Sequence, residues 1–116
     1  MDVEIARKRL TELLADLDRD RATLMGEHAG DSEELSHFDQ HPADTATELS
    51  DQERETAVLD AVNERRQEVQ AALDRIEAGT YGRCVDCGAE LPDERLDARP
   101  EAARCVRDQA RVEGER

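Results

Sequence analysis

Apolar residues recur at intervals of seven on both sides of one short stretch of this chain. Val3, Leu10, Leu17 and Leu24 form one row, and Val62, Val69 and Ile76 form another. The rows mirror each other: 3 with 76, 10 with 69 and 17 with 62 all place the midpoint between Asp39 and Gln40. A seven-residue apolar repeat is the seam of a coiled coil, and two matched helices meeting at a turn make an antiparallel hairpin. Asp39-Gln40-His41-Pro42-Ala43-Asp44 occupies the midpoint. Pro42 suits a turn there, because proline fixes its own φ and pushes His41 away from helix. The pattern predicts a rod with this turn as its working tip.

Composition agrees with a narrow core. Aromatic residues are 2%, hydrophobic residues 37% and charged residues 40% of the 116. That is too polar for a broad globular interior and suits a two-helix seam. One small domain is the most such a length allows, and thin cores usually need a staple such as a metal or a partner. The net charge of −14 argues against direct nucleic-acid binding and against an anionic membrane surface, and it favours a basic cavity on another protein. Taken alone, the charge is also what keeps a chain soluble. With no apolar leader and no run of ~20 apolar residues, the expected location is the cytoplasm.

Residues 2 to about 26 read as the first helix, with Ala6 and Leu13 beside the main row and charges outside; Gly26 and Gly30 are expected to loosen it. Residues 27–44 lack a sustained period and read as a functional loop or a disordered connector. Thr45-Ala46-Thr47-Glu48 has the form of a capping box opening the second helix. Leu59, Val62, Val69, Leu73 and Ile76 follow, Arg66 covers the seam with its aliphatic stem, and Gly79 is placed to end the helix. Charge is uneven along the chain. From Glu27 to Glu55 there are ten acids and one base, so the tip is the acidic end.

The remainder carries all three cysteines. Cys84-Val85-Asp86-Cys87 is a C-x2-C pair, and Cys105 follows after 17 residues with Asp108 in the place a fourth cysteine would take. Two such pairs at that separation are the zinc-ribbon pattern, since thiolates suit Zn2+ and short-spaced pairs can close a tetrahedron. Carboxylates also bind zinc, so Cys84, Cys87, Cys105 and Asp108 are the candidate ligands. Two other readings stand beside it. The knuckle packs on Tyr81, Leu91, Leu96 and Val106 without metal, or Cys84 and Cys87 form a redox pair. A short C-terminal helix is expected from about Pro100.

His28, His37 and His41 all lie near the tip; the first two read as solvated loop residues, and His41, near Asp39 and Asp44, as a candidate metal or pH-sensing group. No nucleophile–base arrangement, phosphate loop or pocket-forming core appears, so no enzymatic activity is expected.

Gly79-Thr80-Tyr81-Gly82-Arg83-Cys84-Val85-Asp86-Cys87-Gly88, continued by Arg95-Leu96-Asp97-Ala98-Arg99-Pro100 and Cys105, resembles the DksA/TraR family of C4-type zinc-finger proteins, in particular its short bacterial members. Pro42-Ala43-Asp44-Thr45-Ala46 resembles the family's tip motif of acid, two residues, acid, one residue, alanine. The likeness covers roughly residues 30–110. It implies a regulator that binds RNA polymerase rather than DNA, entering the secondary channel so that the acidic tip nears the catalytic Mg2+, in some members together with the alarmone ppGpp. The tip residues it implies are Asp39, His41, Asp44 and Ala46. Asp44 and Ala46 match the motif, His41 stands where its first acid belongs, and Asp39 is the nearest acid to replace it. The N-terminal part is shorter than in full-size members, so no alarmone site is carried over.

The expected architecture is mainly α. Residues 1–78 form an antiparallel coiled-coil hairpin with an acidic tip at about 27–46, and residues 79–116 form a zinc-ribbon-like knuckle with a short terminal helix. The expected function is non-enzymatic transcription regulation through RNA polymerase. The alternatives are an acidic coiled-coil module docking on another basic partner, and a thiol redox protein.

Overall fold

A computed structural model of the chain describes the backbone of residues 2–35 and 45–114 and the side chains of residues 2–26 and 50–114. Four helices follow one another: α1 (Val3–Leu35), α2 (Thr45–Ala78), α3 (Asp93–Ala98) and α4 (Val106–Gly114). Among the described residues there is no strand, only one isolated antiparallel bridge between Arg83 and Glu90. The architecture is the expected one, an antiparallel helix pair followed by a knuckle and a short terminal helix. No helix is long and apolar enough to cross a membrane.

Asp2 starts α1: its carboxylate Oδ1 accepts the Glu4 N–H at 3.0 Å, and its carbonyl accepts the first helical bond from Ala6. The helix runs to Leu35, nine residues past the expected end. Gly26 costs a helix only about 1 kcal/mol relative to alanine, and Leu24, Met25, Glu27 and Ala29 around it are ordinary helix formers. A single glycine therefore does not stop it, and neither does Gly30. α2 begins at Thr45, but the side chains that would close the Thr45–Glu48 box lie outside those described.

The end of α2 is better defined. Gly79 adopts φ +77°, its N–H donates to Ile76 O at 3.2 Å, and the Thr80 N–H donates to Arg75 O at 2.9 Å. This pair of bonds is a Schellman cap, which needs the left-handed conformation that glycine enters without strain.

The chain divides into two compact units. One comprises residues 16–66, the later part of α1 with the earlier part of α2. Among its described side chains only Leu17 is buried, with Leu24, Leu59 and Val62 half-buried. Arg66, on the seam, pairs through Nε with Asp18, so a charged residue in an apolar row is accommodated by a partner on the opposite helix.

The other unit joins residues 1–15 to residues 67–116. Its helical part buries Ala6 and Leu10 from α1 and Val69, Ala72 and Ile76 from α2. Val69, Ala72 and Ile76 fall on one face at helical spacing, and Arg7 pairs with Glu77 at 3.4 Å across the seam. The knuckle of the same unit has its own small core of Cys84, Leu91 and Leu96, with Tyr81 and Cys105 packed against it. Val106 was expected there and instead is 68% exposed. As the first residue of α4 it faces solvent while its neighbour Cys105 turns inward. The terminal helix also begins later than Pro100. Residues 99–105 form an irregular link, held by the Tyr81 hydroxyl donating to Pro100 O at 2.8 Å and by Ala102 N–H donating to Arg99 O at 3.0 Å. Before it, Pro92 opens the six-residue α3, where Asp93 and Glu94 sit favourably in the first turn.

Two arginines bind the helix ends to the knuckle within this unit. Arg9 Nη2 donates to Asp97 O at 2.7 Å, and Arg75 Nη2 lies 3.5 Å from both Glu101 O and Ala102 O. Burial lowers the Arg75 pKa from its ordinary value and raises that of Tyr81.

Candidate metal centre

The loop between Gly82 and Leu91 brings the first two cysteines together. Cys84 N–H donates to Ala89 O at 2.8 Å, Gly88 N–H to Cys84 O at 2.9 Å and Leu91 N–H to Gly82 O at 2.8 Å. Gly82 and Gly88 take φ of +87° and +77°, conformations that a tight reversal requires and most side chains resist. The loop is joined to the link before α4 by Val85 N–H donating to Ala103 O at 2.9 Å.

Cys105 sits at the N-cap of α4. Its Sγ lies 3.4 Å from the backbone N of Asp108, the N3 position, so the sulfur takes the place a serine oxygen usually fills. An acid at N3 commonly folds back onto the N-cap N–H. Asp108 instead turns its Oδ2 to within 3.1 Å of Cys84 Sγ and is buried. Cys87 and Cys105 hold their sulfurs 4.0 Å apart. One ligand atom from each of Cys84, Cys87, Cys105 and Asp108 lies within 4.8 Å of all the others.

These separations fit a metal ion. Zinc–sulfur bonds of about 2.3 Å in a tetrahedron put neighbouring sulfurs roughly 3.8 Å apart. Small movements from the observed spacing close such a site. Three soft thiols and one carboxylate are a donor set of the zinc class. Other groups in the knuckle shape the thiols. Burial pushes the Cys84 thiol up, but the backbone N–H groups of Cys87, Cys105 and Asp86 donate to its sulfur and leave it below the ordinary value. The Ala89 N–H lowers the Cys87 thiol; the Asp108 carboxylate and the neighbouring sulfurs outweigh it and push it up to about 11. Asp108 is held below the usual carboxylate range because the Cys84 and Cys87 thiols donate to it.

All four sequence-predicted ligand residues are therefore gathered in one cluster. Of the tip residues, Asp39, His41 and Asp44 lie outside the described residues, and Ala46 is described only as helical backbone at the start of α2. Sequence reasoning missed the charged ring around the cluster. Asp86 Oδ2 accepts from Arg104 Nε at 2.7 Å and lies 3.3 Å from Arg111 Nη2. Arg107 Nε and Arg111 Nε approach Asp108 Oδ1 at 3.7 and 3.9 Å. Arg104 lies in the link before α4 and Arg107 and Arg111 on the helix itself, so no single period in the sequence marks them as one group.

Comparison with known proteins places this knuckle. Residues 79–114 match the prokaryotic DksA/TraR C4-type zinc finger. The chain is 45% identical over 69 residues to the uncharacterized protein YteA of Bacillus subtilis, covering 60% of this chain and 29% of that protein. It is 31% identical over 74 residues to the RNA polymerase-binding transcription factor DksA of Haemophilus influenzae, covering 64% of this chain and 50% of that protein. The match thus spans half or less of these curated relatives. The solved structure of transcription factor DksA2 from Pseudomonas aeruginosa superposes with a TM-score of 0.54 at 24% identity, covering 93% of this chain and 85% of that one, a likeness of fold. Residues 79–114 thus match the DksA/TraR C4-type zinc finger in sequence, and the chain as a whole is similar to a solved DksA2 in fold.

Proposed function

We propose that the chain is a non-enzymatic transcription regulator that binds RNA polymerase. Its helix pair enters the secondary channel, and its acidic tip acts near the active site. The observation that carries this reading is the union, in one chain, of the DksA/TraR knuckle with a paired-helix fold like that of a solved DksA2. The charge distribution supports the same destination. Ten acids against one base between Glu27 and Glu55 would be repelled by DNA phosphates and drawn to a positively charged protein channel. Asp39, His41, Asp44 and Ala46 are the proposed contact residues of the tip. Cys84, Cys87, Cys105 and Asp108 are the proposed ligands of one zinc ion, which when bound supplies a structural crosslink between the C-x2-C loop and α4.

The test is capture of purified core RNA polymerase by the tagged full chain. Binding that is competed by a protein occupying the secondary channel is the expected result. Absence of binding at micromolar concentration, with metal-loaded and folded protein, overturns the proposal and leaves the acidic helices as a docking surface for another partner.

A further inference from the structure

The fourth ligand position holds a carboxylate, and a carboxylate has a freedom that a thiolate lacks. A cysteine offers a metal one atom. An aspartate offers two, and it can swing from one-oxygen to two-oxygen binding, which raises the coordination number and suits larger, harder cations. In this chain the two oxygens of Asp108 have different surroundings. Oδ2 is turned to Cys84 Sγ at 3.1 Å. Oδ1 faces the guanidinium groups of Arg107 at 3.7 Å and Arg111 at 3.9 Å. Arg107 is 83% exposed and adjacent in sequence, so it is weakly placed to constrain its neighbour. Arg111 is anchored elsewhere: its Nη2 is 3.3 Å from Asp86 Oδ2, which is itself fixed by Arg104 Nε at 2.7 Å. Asp86 lies between Cys84 and Cys87. Arg111 thus ties the helix that carries Asp108 to the loop that carries two of the sulfurs.

We propose that Arg111, held by Asp86, is a positioning residue for the metal centre, its guanidinium set beside Asp108 Oδ1 so that Oδ2 alone faces the three sulfurs. The consequence is a four-coordinate site suited to a tetrahedral cation. Partners around ligating groups orient them in this way, and losing one typically costs 10–100-fold in metal affinity. The inference rests on the reading of Cys84, Cys87, Cys105 and Asp108 as ligands.

The probe is Co2+, titrated into the metal-free full chain and then displaced by Zn2+. Wild-type chain is expected to develop the intense visible bands of tetrahedral cobalt at one ion per chain. Arg111→Ala should lower affinity about 10–100-fold and weaken those bands as Oδ1 joins the coordination sphere. Asp86→Asn should move the spectrum in the same direction. In an Asp108→Cys background the fourth ligand has a single donor atom, and Arg111→Ala should then leave both affinity and spectrum near those of Asp108→Cys alone. Equal losses in both backgrounds would show that Arg111 only supports the fold and would overturn the proposal. So would wild-type affinity and bands in Arg111→Ala, or an Asp86→Asn spectrum identical to wild type. A wild-type chain that takes up no cobalt or zinc overturns the metal reading itself, and the role of Arg111 with it.

Discussion

Asp108 Oδ2 lies 3.1 Å from Cys84 Sγ, although the two residues are 24 positions apart and sit on different elements. The contact places a carboxylate where the C4 pattern of the family calls for a fourth thiolate. It makes the difference one of donor chemistry rather than of geometry, because the position itself is kept at the third residue after Cys105.

The metal should therefore be present and dependent on that carboxylate. Elemental analysis is expected to find about one zinc per chain, and Asp108→Ala should release it at lower chelator concentration than Asp108→Cys. Because thiols must lose protons to bind, affinity should fall as pH falls, each displaced proton contributing about a tenfold change per pH unit. Chelator titrations at several pH values measure this.

The metal-free chain should show its own pH dependence at the alkaline end. The folded Cys87 thiol is pushed up to about 11 from an ordinary value of 9.0. A group whose folded pKa is raised holds its proton more tightly in the folded state. Its contribution is complete below pH 9 and is lost as pH rises through 11. Melting in chelator should decline across that window, and Cys87→Ser should remove part of the decline. A melting curve with the same slope in both proteins would contradict the environment described for Cys87.

Leu10 has no solvent exposure, whereas Ile5 on the same helix is 54% exposed. Leu10→Ala should cost about 2–5 kcal/mol, and Ile5→Ala about 0.5 kcal/mol or less. Urea unfolding followed by helical circular dichroism separates them.

The tip is tested by charge alone. Asp44→Asn preserves shape while removing a carboxylate beside the N-terminus of α2, where the helix dipole makes an acid worth about 0.3–1 kcal/mol. Melting should barely change. Effects on transcription in vitro should disappear while polymerase binding largely persists, and Asp39→Asn should give a weaker version. Unaltered transcription effects in the double variant would exclude an electrostatic tip.

The heptad rows were legible over most of their length because burial on a helix pair is a matter of period: Leu10, Leu17, Val69 and Ile76 are buried, while Val3, at the start of α1, is 43% exposed. Gly79 was legible because a helix that ends in a left-handed residue selects glycine. The length of α1 was not, since a lone glycine is a weak breaker whose effect depends on its neighbours. α3 has six residues, too few for a period to show. Ala72 is buried and passed unread, because alanine is common on every helix face and marks a seam poorly. The four candidate ligands could be read from spacing. Their charged surroundings could not, because Asp86 and Arg111 meet only after the loop folds onto α4.

The bonds from Arg9 to Asp97 and from Arg75 to Glu101 and Ala102 bear on what can be moved between proteins. Residues 79–114 are the segment matched as a family in sequence, but residues 1–15 and 67–78 share their compact unit. The matched segment is thus shorter than the compact unit that contains it. Grafted alone onto another scaffold, it would leave the Asp97, Glu101 and Ala102 carbonyls without their arginine donors. Within the native chain, removing either donor, as in Arg9→Ala or Arg75→Ala, is therefore expected to loosen the knuckle together with the neighbouring helix ends.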